Sequence, residues 1–256
     1  MSAVSGTGVR KREEPHTRCS ECPIREMALF EPVDQEQLDW TQRARSAQLV
    51  IPARRHLYRE GEVSNEAYTL FDGWVILYRS LPNGKAQIMR FALPGDFLAL
   101  HPDHDGPRTH SAQAVTQSTV CVFPRGELVE MLHTHPKITM RLNWIHTRDM
   151  TTCQEHLLGI GRKSAEERIA FLLMELFQRM RLRGKADGNR IAFPITQEHI
   201  ADAVGLTVVH TNRIMRQLRD AQLIDCSRQS LTILNEKGLA ELGNFRLDMV
   251  EMRHLI

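Results

Sequence analysis

Long apolar runs and export signals are missing from this sequence. No stretch reaches the roughly 18 apolar residues that a membrane-spanning helix needs, and the N-terminus MSAVSGTGVRKREEPHTR lacks the apolar core of a secretory signal. Only 5 of the 256 residues are cysteine. An odd number of cysteines without an export signal favours free thiols or metal ligands over a disulfide framework. We therefore expect a cytoplasmic protein that does not contact a membrane.

Net charge is also nearly absent. Lysine and arginine total 33 against 31 aspartate and glutamate residues, so charge alone does not indicate a nucleic-acid binder and any basic surface must be local. The length is sufficient for two modest domains. The sequence contains no evident serine or cysteine nucleophile motif, paired-carboxylate site or glycine-rich phosphate loop, which argues against an enzyme.

The first half of the chain is predicted to form an N-terminal arm followed by a β-rich unit. Residues 1–18 are polar and contain glycine and proline, which predicts a flexible arm. From Leu49 to Phe123, short β-rich runs alternate with glycines and predict a compact all-β unit within a sensor domain of residues 19–135. The Pro82–Gly84 stretch (Pro-Asn-Gly) predicts a tight hairpin between two of these runs.

A long helix is predicted over residues 136–160. Pro136 is placed to begin it, and Gly159 and Gly161 are placed to end it. Its apolar residues recur at helical spacing, at Ile138, Leu142 and Ile145. Such a stripe could pack against the same helix of a second chain, which would make a two-fold dimer, or against the chain's own core. Periodicity alone leaves both alternatives open.

The segment PITQEHIADAVGLTVVHTNRIMRQLRDAQLI predicts two short helices joined by a tight turn. Thr196 can cap the first helix, Gly205 can end it in a left-handed conformation, and Thr207 can cap the second. The predicted inward residues are Ile200, Ala201 and Val204 in the first helix, and Thr211, Ile214 and Leu218 in the second. This arrangement has the helix-turn-helix shape that fits a DNA major groove.

The outer face of the second helix carries side chains that can read bases. Arginine can donate two hydrogen bonds to guanine and asparagine can pair with adenine, while hydroxyl, imidazole and guanidinium groups can hold phosphates. The predicted DNA-binding residues are Thr196, Gln197, Thr207, Val208, Val209, His210, Asn212, Arg213 and Arg216. The stretch CSRQSLTILN then offers two short strands as a wing, so residues 161–256 are expected to form a winged helix-turn-helix domain. A solvated helical hairpin is the alternative.

Taken together, these segments resemble the Crp/Fnr superfamily of bacterial transcription regulators. The helix-turn-helix segment carries one half of the resemblance, and GEVSNEAYTLFDGWVILYRSLPNGKAQIMRFALPGDFLAL is similar to the other half, the family's cyclic-nucleotide-binding-type β-roll. The resemblance implies an α+β fold with an N-terminal β-roll, a long dimerisation helix and a C-terminal winged helix-turn-helix. It also implies a homodimer on an inverted repeat of double-stranded DNA, with RNA polymerase as a further partner.

Val209 departs from the family pattern. The family commonly places a glutamate there, which accepts a hydrogen bond from cytosine N4, whereas valine offers only apolar contact such as with a thymine methyl group. Arg213, by contrast, matches the family's base-reading arginine. We therefore predict a two-fold symmetric operator whose half-site differs from the usual TTGAT or TGTGA words at the glutamate-read position.

Three cysteines are candidate ligands for a metal ion or an iron–sulfur cluster. Cys19 and Cys22 form a Cys-x-x-Cys motif and Cys121 ends the β unit, a pattern that is common and weak alone. Oxygen-sensing Fnr proteins hold a [4Fe-4S] cluster on an N-terminal cysteine cluster plus one cysteine where Cys121 stands, but Ala28 occupies one expected ligand position. Two alternatives remain open: an iron–sulfur or other thiolate metal site, with His16 as a candidate ligand, or structural or redox-active thiols.

The predicted effector positions argue against cyclic AMP. In the family's cyclic AMP binders, an Arg-Ser or Arg-Thr pair holds the phosphate after a Gly-Glu segment. The matching residues here are Gly95 and Asp96, followed by His110 and Ser111. The shortened acid and the missing arginine weaken both contacts, although another small acid in the same pocket stays open.

The loop LHPDHDGPRTH collects His101, His104 and His110, which raises haem or a metal as an alternative. Loop histidines are usually solvated. A cupin-like metalloenzyme would be a protein of another class, but its ligands should converge from separate strands and these histidines cluster in one loop. The sequence therefore predicts a DNA-binding regulator that responds to oxygen or redox state through its N-terminal cysteines, or alternatively to a small-molecule or haem ligand in the β-roll.

Overall fold

The computed structural model describes residues 11–13, 17–24, 35–99, 106–227 and 229–246. Four residues that carry predictions, namely His16, Ala28, His101 and His104, lie outside these ranges. The chain divides into two compact units. The described residues of the first unit lie within 1–23, 32–79 and 91–134. Those of the second unit lie within 24–31, 80–90 and 135–256.

Most of the first unit consists of strands from two sheets. The strands are β1 (Lys11–Glu13), β2 (Ala47–Ile51), β3 (His56–Tyr58), β4 (Glu66–Asp72), β5 (Val75–Ser80), β6 (Ala86–Ala92), β7 (Phe97–Leu98), β8 (Ser111–Ala114) and β9 (Ser118–Pro124). Ser80 of β5 and residues 86–90 of β6 fall within the ranges of the second unit. The strand orders are β1-β2-β9-β4-β7 and β3-β8-β5-β6. A short 3-10 helix (Cys19–Glu21) and two α-helices, α1 (Gln35–Ala44) and α2 (Arg125–Thr134), complete the unit. The predicted β-roll is confirmed.

Strand alternation fills the β-roll with apolar side chains, because successive strand residues point to opposite faces. The interior includes Leu49, Ile51, Leu57, Tyr58, Tyr68, Leu70, Val120 and Val122. Gly73 lies in the tight connection between β4 and β5 with a φ of +97°. A Cβ atom there would lie 2.7 Å from Ser118 Cα, so the close approach of the two backbones requires glycine.

The predicted hairpin joins β5 to β6. The Leu81 N–H donates to the Lys85 carbonyl at 2.8 Å and the Gly84 N–H donates to the Leu81 carbonyl at 2.9 Å. Gly84 has a φ of +82°, which explains its place in the turn.

Residues 1–18, which are predicted to form a flexible arm, include one strand, Lys11–Glu13. This strand, β1, pairs antiparallel with β2. The pairing gives hydrogen-bond partners to backbone groups of β2 that a sheet edge would otherwise leave to solvent.

The second unit is mainly helical. Its helices are α3 (Pro136–Arg162), α4 (Ala165–Leu182), α5 (Gln197–Val204), α6 (Val208–Asp220) and α7 (Glu236–Gly243), and its strands are β10 (Ala186–Asp187), β11 (Arg190–Ala192), β12 (Ile224–Ser227) and β13 (Ser230–Ile233). These four strands form one sheet in the order β10-β11-β13-β12. Helix α4 is the core of the unit: Ile169, Leu173, Leu176 and Met180, which recur at helical spacing, are all buried.

Helix α3 is longer than predicted. It passes through Gly159 and Gly161 and ends at Arg162. A glycine inside a helix costs only about 1 kcal/mol relative to alanine, which neighbouring residues can offset. The break comes instead at Ser164, whose side chain accepts a hydrogen bond from the Glu167 N–H while the Glu167 carboxylate accepts one from the Ser164 N–H. This capping box begins α4.

Candidate nucleic-acid interface

Local sequence signals determine the α5–α6 pair. Thr196 and His199 form a capping box at the start of α5: the Thr196 Oγ1 accepts the His199 N–H at 3.2 Å and His199 Nδ1 accepts the Thr196 N–H at 3.1 Å. Gly205 ends α5 with a φ of 69°. Thr207 then begins α6, its Oγ1 accepting the His210 N–H at 3.3 Å.

Packing holds the inner faces of both helices. Ile200 and Val204 of α5 are buried, as are Thr211, Ile214 and Leu218 of α6. Thr211 and Leu218 are completely inaccessible, at 0% exposure. Since close-packed side chains resist rotation of a helix about its axis, the side of α6 that faces solvent is determined by these contacts.

The outward face of α6 carries Val209, Asn212, Arg213 and Arg216, all exposed. Val209 is 80% exposed, so its apolar side chain is open to contact from outside the domain. The first turn of α6 contains no acidic residue. The face therefore combines an apolar group, an amide and two guanidinium groups on one solvent-facing side of a short helix.

The remaining predicted DNA-binding residues lie at the helix starts. Val208 is 42% exposed, while Gln197 and His210 are partly buried. Thr196 and Thr207 use their oxygens as helix caps. A hydroxyl group has one hydrogen to donate in addition to its acceptor capacity, so both threonines can cap a helix and still donate to a phosphate oxygen.

Strands β12 and β13 form the predicted wing. They pair antiparallel from Ile224 opposite Ile233 to Ser227 opposite Ser230. The β10–β11 hairpin, which was not predicted, extends the same sheet through pairing of β11 with β13. The signal for it was Gly188, which has a φ of +58° between the two short strands.

The hydrogen bonds of Arg168 could not be predicted from the sequence. Its Nη1 donates to the Val204 carbonyl at 2.9 Å and its Nε donates to the Ser164 carbonyl at 3.4 Å. Arg168 thus connects the first turn of α4 with the last turn of α5, next to the turn that leads into α6. A cation is favourable there because a helix C-terminus carries partial negative charge.

Cys121 lies on β9 beside two polar side chains. Gln48 Nε2 is 3.6 Å and Arg45 Nη1 is 3.9 Å from its sulfur. Burial raises the pKa of the Cys121 thiol, and the nearby Cys22 raises it further, whereas the Gln48 hydrogen bond and the Arg45 charge oppose this. The pKa remains above its usual value, so the thiol is held in its protonated form. Arg45 also donates to the Thr17 carbonyl at 2.8 Å.

The other predicted metal ligands lie in the N-terminal segment. The Cys19 N–H donates to Gln42 Oε1 at 2.7 Å, and Cys19 is buried while Cys22 is partly exposed. Across the described ranges, no group of three or more histidine, cysteine, aspartate or glutamate side chains is placed to hold a metal ion. Cys19, Cys22 and Cys121 thus do not make a ready metal site in this arrangement.

Two of the predicted effector positions belong to one turn. Gly95 has a φ of +94°, and the buried Asp96 carboxylate accepts the Leu93 N–H at 2.9 Å. The Asp96 side chain therefore stabilises its own turn before β7.

The other two effector positions also have partners within the domain. His110 Nε2 lies 2.9 Å from the Tyr58 hydroxyl, and Ser111 Oγ accepts the Glu60 N–H at 3.0 Å. A ligand that used these groups would have to compete with existing hydrogen bonds.

Comparisons with known proteins agree with this architecture. Residues 48–135 match the cyclic nucleotide-binding domain and residues 167–242 match the Crp-like helix-turn-helix domain. The transcriptional activatory protein AadR of Rhodopseudomonas palustris is 34% identical over 233 residues, covering 88% of this chain and 93% of AadR. The nitrogen fixation regulation protein FixK of Bradyrhizobium diazoefficiens is 29% identical over 225 residues, covering 88% and 93%.

A solved structure extends the similarity to three dimensions. FixK2 from Bradyrhizobium japonicum superimposes with a TM-score of 0.68 at 26% identity, covering 76% of this chain and 96% of FixK2. The chain belongs to the Crp/Fnr family of transcription regulators. It is a DNA-binding regulator and not an enzyme, so the cupin-like alternative is wrong. In the described part of the chain, no helix combines the length and apolar character needed to span a bilayer.

Proposed function

We propose that the protein acts as a homodimer that binds an inverted repeat through one α6 helix per half-site. The outward face of α6 supports this most directly, because Asn212, Arg213 and Arg216 have the chemistry that reads adenine, guanine and phosphate. In this account a two-state dimer responds to a signal by shifting α3, and only one state spaces the two α6 helices about one DNA turn apart.

Selection from a library of randomised inverted repeats, with gel-shift enrichment of full-length protein, tests this proposal. We expect enrichment of two-fold symmetric sites that differ from TTGAT or TGTGA at the Val209-read position. Enrichment of unaltered TTGAT or TGTGA half-sites would refute the predicted specificity. Enrichment of no symmetric site would refute binding as a symmetric dimer.

The exposed apolar side chains of α3 support a dimer. They are Met140, Met150, Leu157, Leu158 and Ile160, with exposures of 56%, 60%, 71%, 50% and 43%. Covering such surface is favourable by about 25 cal/mol per Å², and the same helix of a second copy offers a matching stripe. The predicted stripe residue Leu142 is buried within the chain, so one part of the helix already serves the protein's own core.

Light scattering of a charged variant tests the dimer. Leu157→Glu places a carboxylate on the most exposed leucine of α3 and is expected to shift the protein towards monomer. The matched control Leu234→Glu changes a leucine that is 45% exposed outside α3 and is expected to stay dimeric. If both variants remain dimeric, the dimer interface does not include Leu157.

We further propose that the N-terminal cysteines carry an oxygen or redox signal. Support comes from Arg45, which contacts both the Cys121 sulfur and the Thr17 carbonyl and so connects this thiol to the N-terminal segment. A chemical change at the Cys121 sulfur would therefore alter a contact that Arg45 shares with the N-terminal segment. Because burial raises the pKa of Cys121, less of its thiol is ionised, which slows its reaction with oxidants.

Anaerobic purification followed by absorption spectra and assays for iron and acid-labile sulfide tests the form of this signal. A visible band that bleaches in air, and that is lost in Cys19→Ser and Cys121→Ser, would establish a cluster. A colourless protein whose DNA affinity falls with peroxide, except in Cys121→Ser, would establish a thiol switch. Unchanged DNA affinity in both atmospheres would refute redox sensing.

A further inference from the structure

Side chains from other elements hold the C-terminal end of α5. The last four carbonyl groups of an α-helix have no partner within the helix, and leaving a buried carbonyl unpaired is costly. The Val204 carbonyl accepts a hydrogen bond from Arg168 Nη1 at 2.9 Å. The Ala203 carbonyl accepts one from Gln87 Nε2, also at 2.9 Å. Ala203 is buried, so the Gln87 amide satisfies a carbonyl that the helix itself leaves unpaired.

Gln87 lies on β6, in the hairpin that β5 and β6 form. Residues 80–90 belong to the same compact unit as α3 to α7, so the contact between Gln87 and Ala203 is made inside the second unit. Gln87 is half-buried, and its Nε2 also donates to the Ile88 carbonyl at 3.2 Å. The Ile88 side chain is buried. Packing therefore fixes the strand next to the amide that reaches α5.

A second side chain of β6 attaches the hairpin to α3. Arg90 Nη1 lies 2.5 Å from Asp149 Oδ2, and Arg148 Nη2 contacts the other oxygen of the same carboxylate at 3.2 Å. The side chains of Arg90 and Asp149 are 20% and 22% exposed, so this ion pair is partly shielded from water. Strand residues three apart point to opposite faces, which lets Gln87 and Arg90 contact two different helices. Strand β6 is thus bonded to α3 and α5 at the same time.

The helix end that Gln87 holds leads directly into α6. The turn Gly205–Thr207 separates the last residue of α5 from the first residue of α6. Gly205 ends α5 in a left-handed conformation and Thr207 caps α6. Close-packed protein interiors transmit displacements. A shift of the Ala203 carbonyl would therefore change the direction in which α6 presents Arg213.

We propose that Gln87 is a positioning residue for DNA binding. Its amide acts through α5: the hydrogen bond to the Ala203 carbonyl keeps the end of α5, and the turn into α6, in the setting that presents the outward face of α6 to DNA. The β5–β6 hairpin then contributes to DNA binding, although both strands belong to a sheet of the β-roll. This inference rests on the proposed reading of DNA by α6, and it requires neither the redox signal nor a bound effector.

Three substitutions of Gln87 in the full-length protein test this role by operator affinity. Gln87→Ala removes one hydrogen bond and is expected to weaken binding about three- to tenfold, with an unchanged base preference. Gln87→Glu puts a carboxylate beside a carbonyl at the negative end of α5 and is expected to weaken binding more than Gln87→Ala does. Gln87→Lys keeps a donor and places a cation at this helix end, so it is expected to retain at least about half of the wild-type affinity. A Gln87→Ala protein that binds as tightly as wild type, or more tightly, would overturn the proposal.

Gln113 provides the matched control for the changes in charge. It lies on β8, and its Nε2 donates to the Arg54 carbonyl at 2.9 Å, a bond that does not involve α5. The same three substitutions at Gln113 are expected to change operator affinity by less than about twofold at physiological salt, where exposed charges are screened. Equal effects at Gln87 and Gln113 would assign the loss to net charge and overturn the positioning role.

Hydrogen exchange of the DNA-free protein tests positioning without DNA. The Leu206 N–H donates to the Ala201 carbonyl at 3.0 Å in the turn that follows α5. Peptides that contain Leu206 are expected to exchange faster in Gln87→Ala and at the wild-type rate in Gln87→Lys, while thermal melting confirms that both variants are folded. Unchanged exchange in Gln87→Ala would overturn the proposal. Because this measurement needs no operator, it still tests Gln87 if the library selection enriches no symmetric site and the proposed function fails.

Discussion

His156 Nε2 lies 2.7 Å from Glu175 Oε2 and joins α3 to α4 within the second unit. The other carboxylate oxygen of Glu175 accepts a hydrogen bond from Arg179 Nη1 at 2.8 Å. Burial acts to raise the pKa of Glu175, but the charges and hydrogen bonds of His156 and Arg179 outweigh it and lower the pKa to about 2. The pair spans the break at Ser164, where the predicted dimerisation helix gives way to the DNA-binding helices.

Removing the Glu175 carboxylate should destabilise the second unit. Glu175→Ala removes the carboxylate that accepts a hydrogen bond from Arg179, which is 7% exposed, and loss of one member of a buried pair typically costs about 3–5 kcal/mol. Urea unfolding at neutral pH measures this loss. The control Glu241→Gln alters a carboxylate on α7 whose side chain is 68% exposed and should change the free energy of unfolding by less than about 0.5 kcal/mol.

The Glu175 contribution should also depend on pH. Because its folded pKa is lowered, the stabilisation is present above the unfolded value of about 4.3 and is lost as pH falls towards 2. The difference in unfolding free energy between wild type and Glu175→Gln is therefore expected to narrow over that interval. A difference that stays constant would show that ionisation of this carboxylate does not stabilise the fold.

Arg213 should contribute to sequence specificity. If it makes a bidentate contact with guanine, Arg213→Ala will weaken operator binding by about 1–3 kcal/mol and relax one base position in each half-site. Repeating the library selection with the variant measures both effects. If Arg213→Ala weakens binding equally for all operator sequences and changes the base preference at no position, Arg213 contacts a phosphate instead.

Val209 should read a thymine methyl group. Replacing the thymine opposite Val209 by deoxyuridine removes only that methyl and is expected to weaken binding by about 0.8 kcal/mol, or about four-fold. Anisotropy titrations of wild type and Val209→Ala on both duplexes measure the coupling. The deoxyuridine effect should vanish in Val209→Ala, and an equal effect in both proteins would rule out this contact.

Arg168 should act on DNA binding through α5. Arg168→Ala removes the hydrogen bond to the Val204 carbonyl, at a cost of about 1–3 kcal/mol in stability. We expect weaker operator binding with an unchanged base preference, since no reading side chain is altered, and partial recovery in Arg168→Lys. A changed base preference would mean that Arg168 also contacts bases.

Local signals explain why the helix-turn-helix could be predicted from sequence. Thr196, Gly205 and Thr207 act through neighbours within a few residues, so their roles can be read from their spacing. The end of α3 was less predictable, because the breaking tendency of Gly159 and Gly161 was overridden by the rest of the helix.

Long-range contacts explain what was missed. Gln87 was overlooked because the Ala203 carbonyl that it bonds lies 116 residues away, and Arg168 because the Val204 carbonyl lies 36 residues away. Only the fold brings such partners together. The departure from the family pattern at His110 was visible in the sequence, but the hydrogen bond that this residue makes with Tyr58 was not.

Two copies of α6, one from each chain of a dimer, should read one inverted repeat. The most direct test measures the affinity of the full-length protein for the selected operator, for a single half-site, and for operators with the half-sites moved apart by about five base pairs, half a DNA turn. We expect two chains per duplex and at least a tenfold loss of affinity for both altered duplexes. Equal affinity for the single half-site or for the shifted operator would contradict this arrangement.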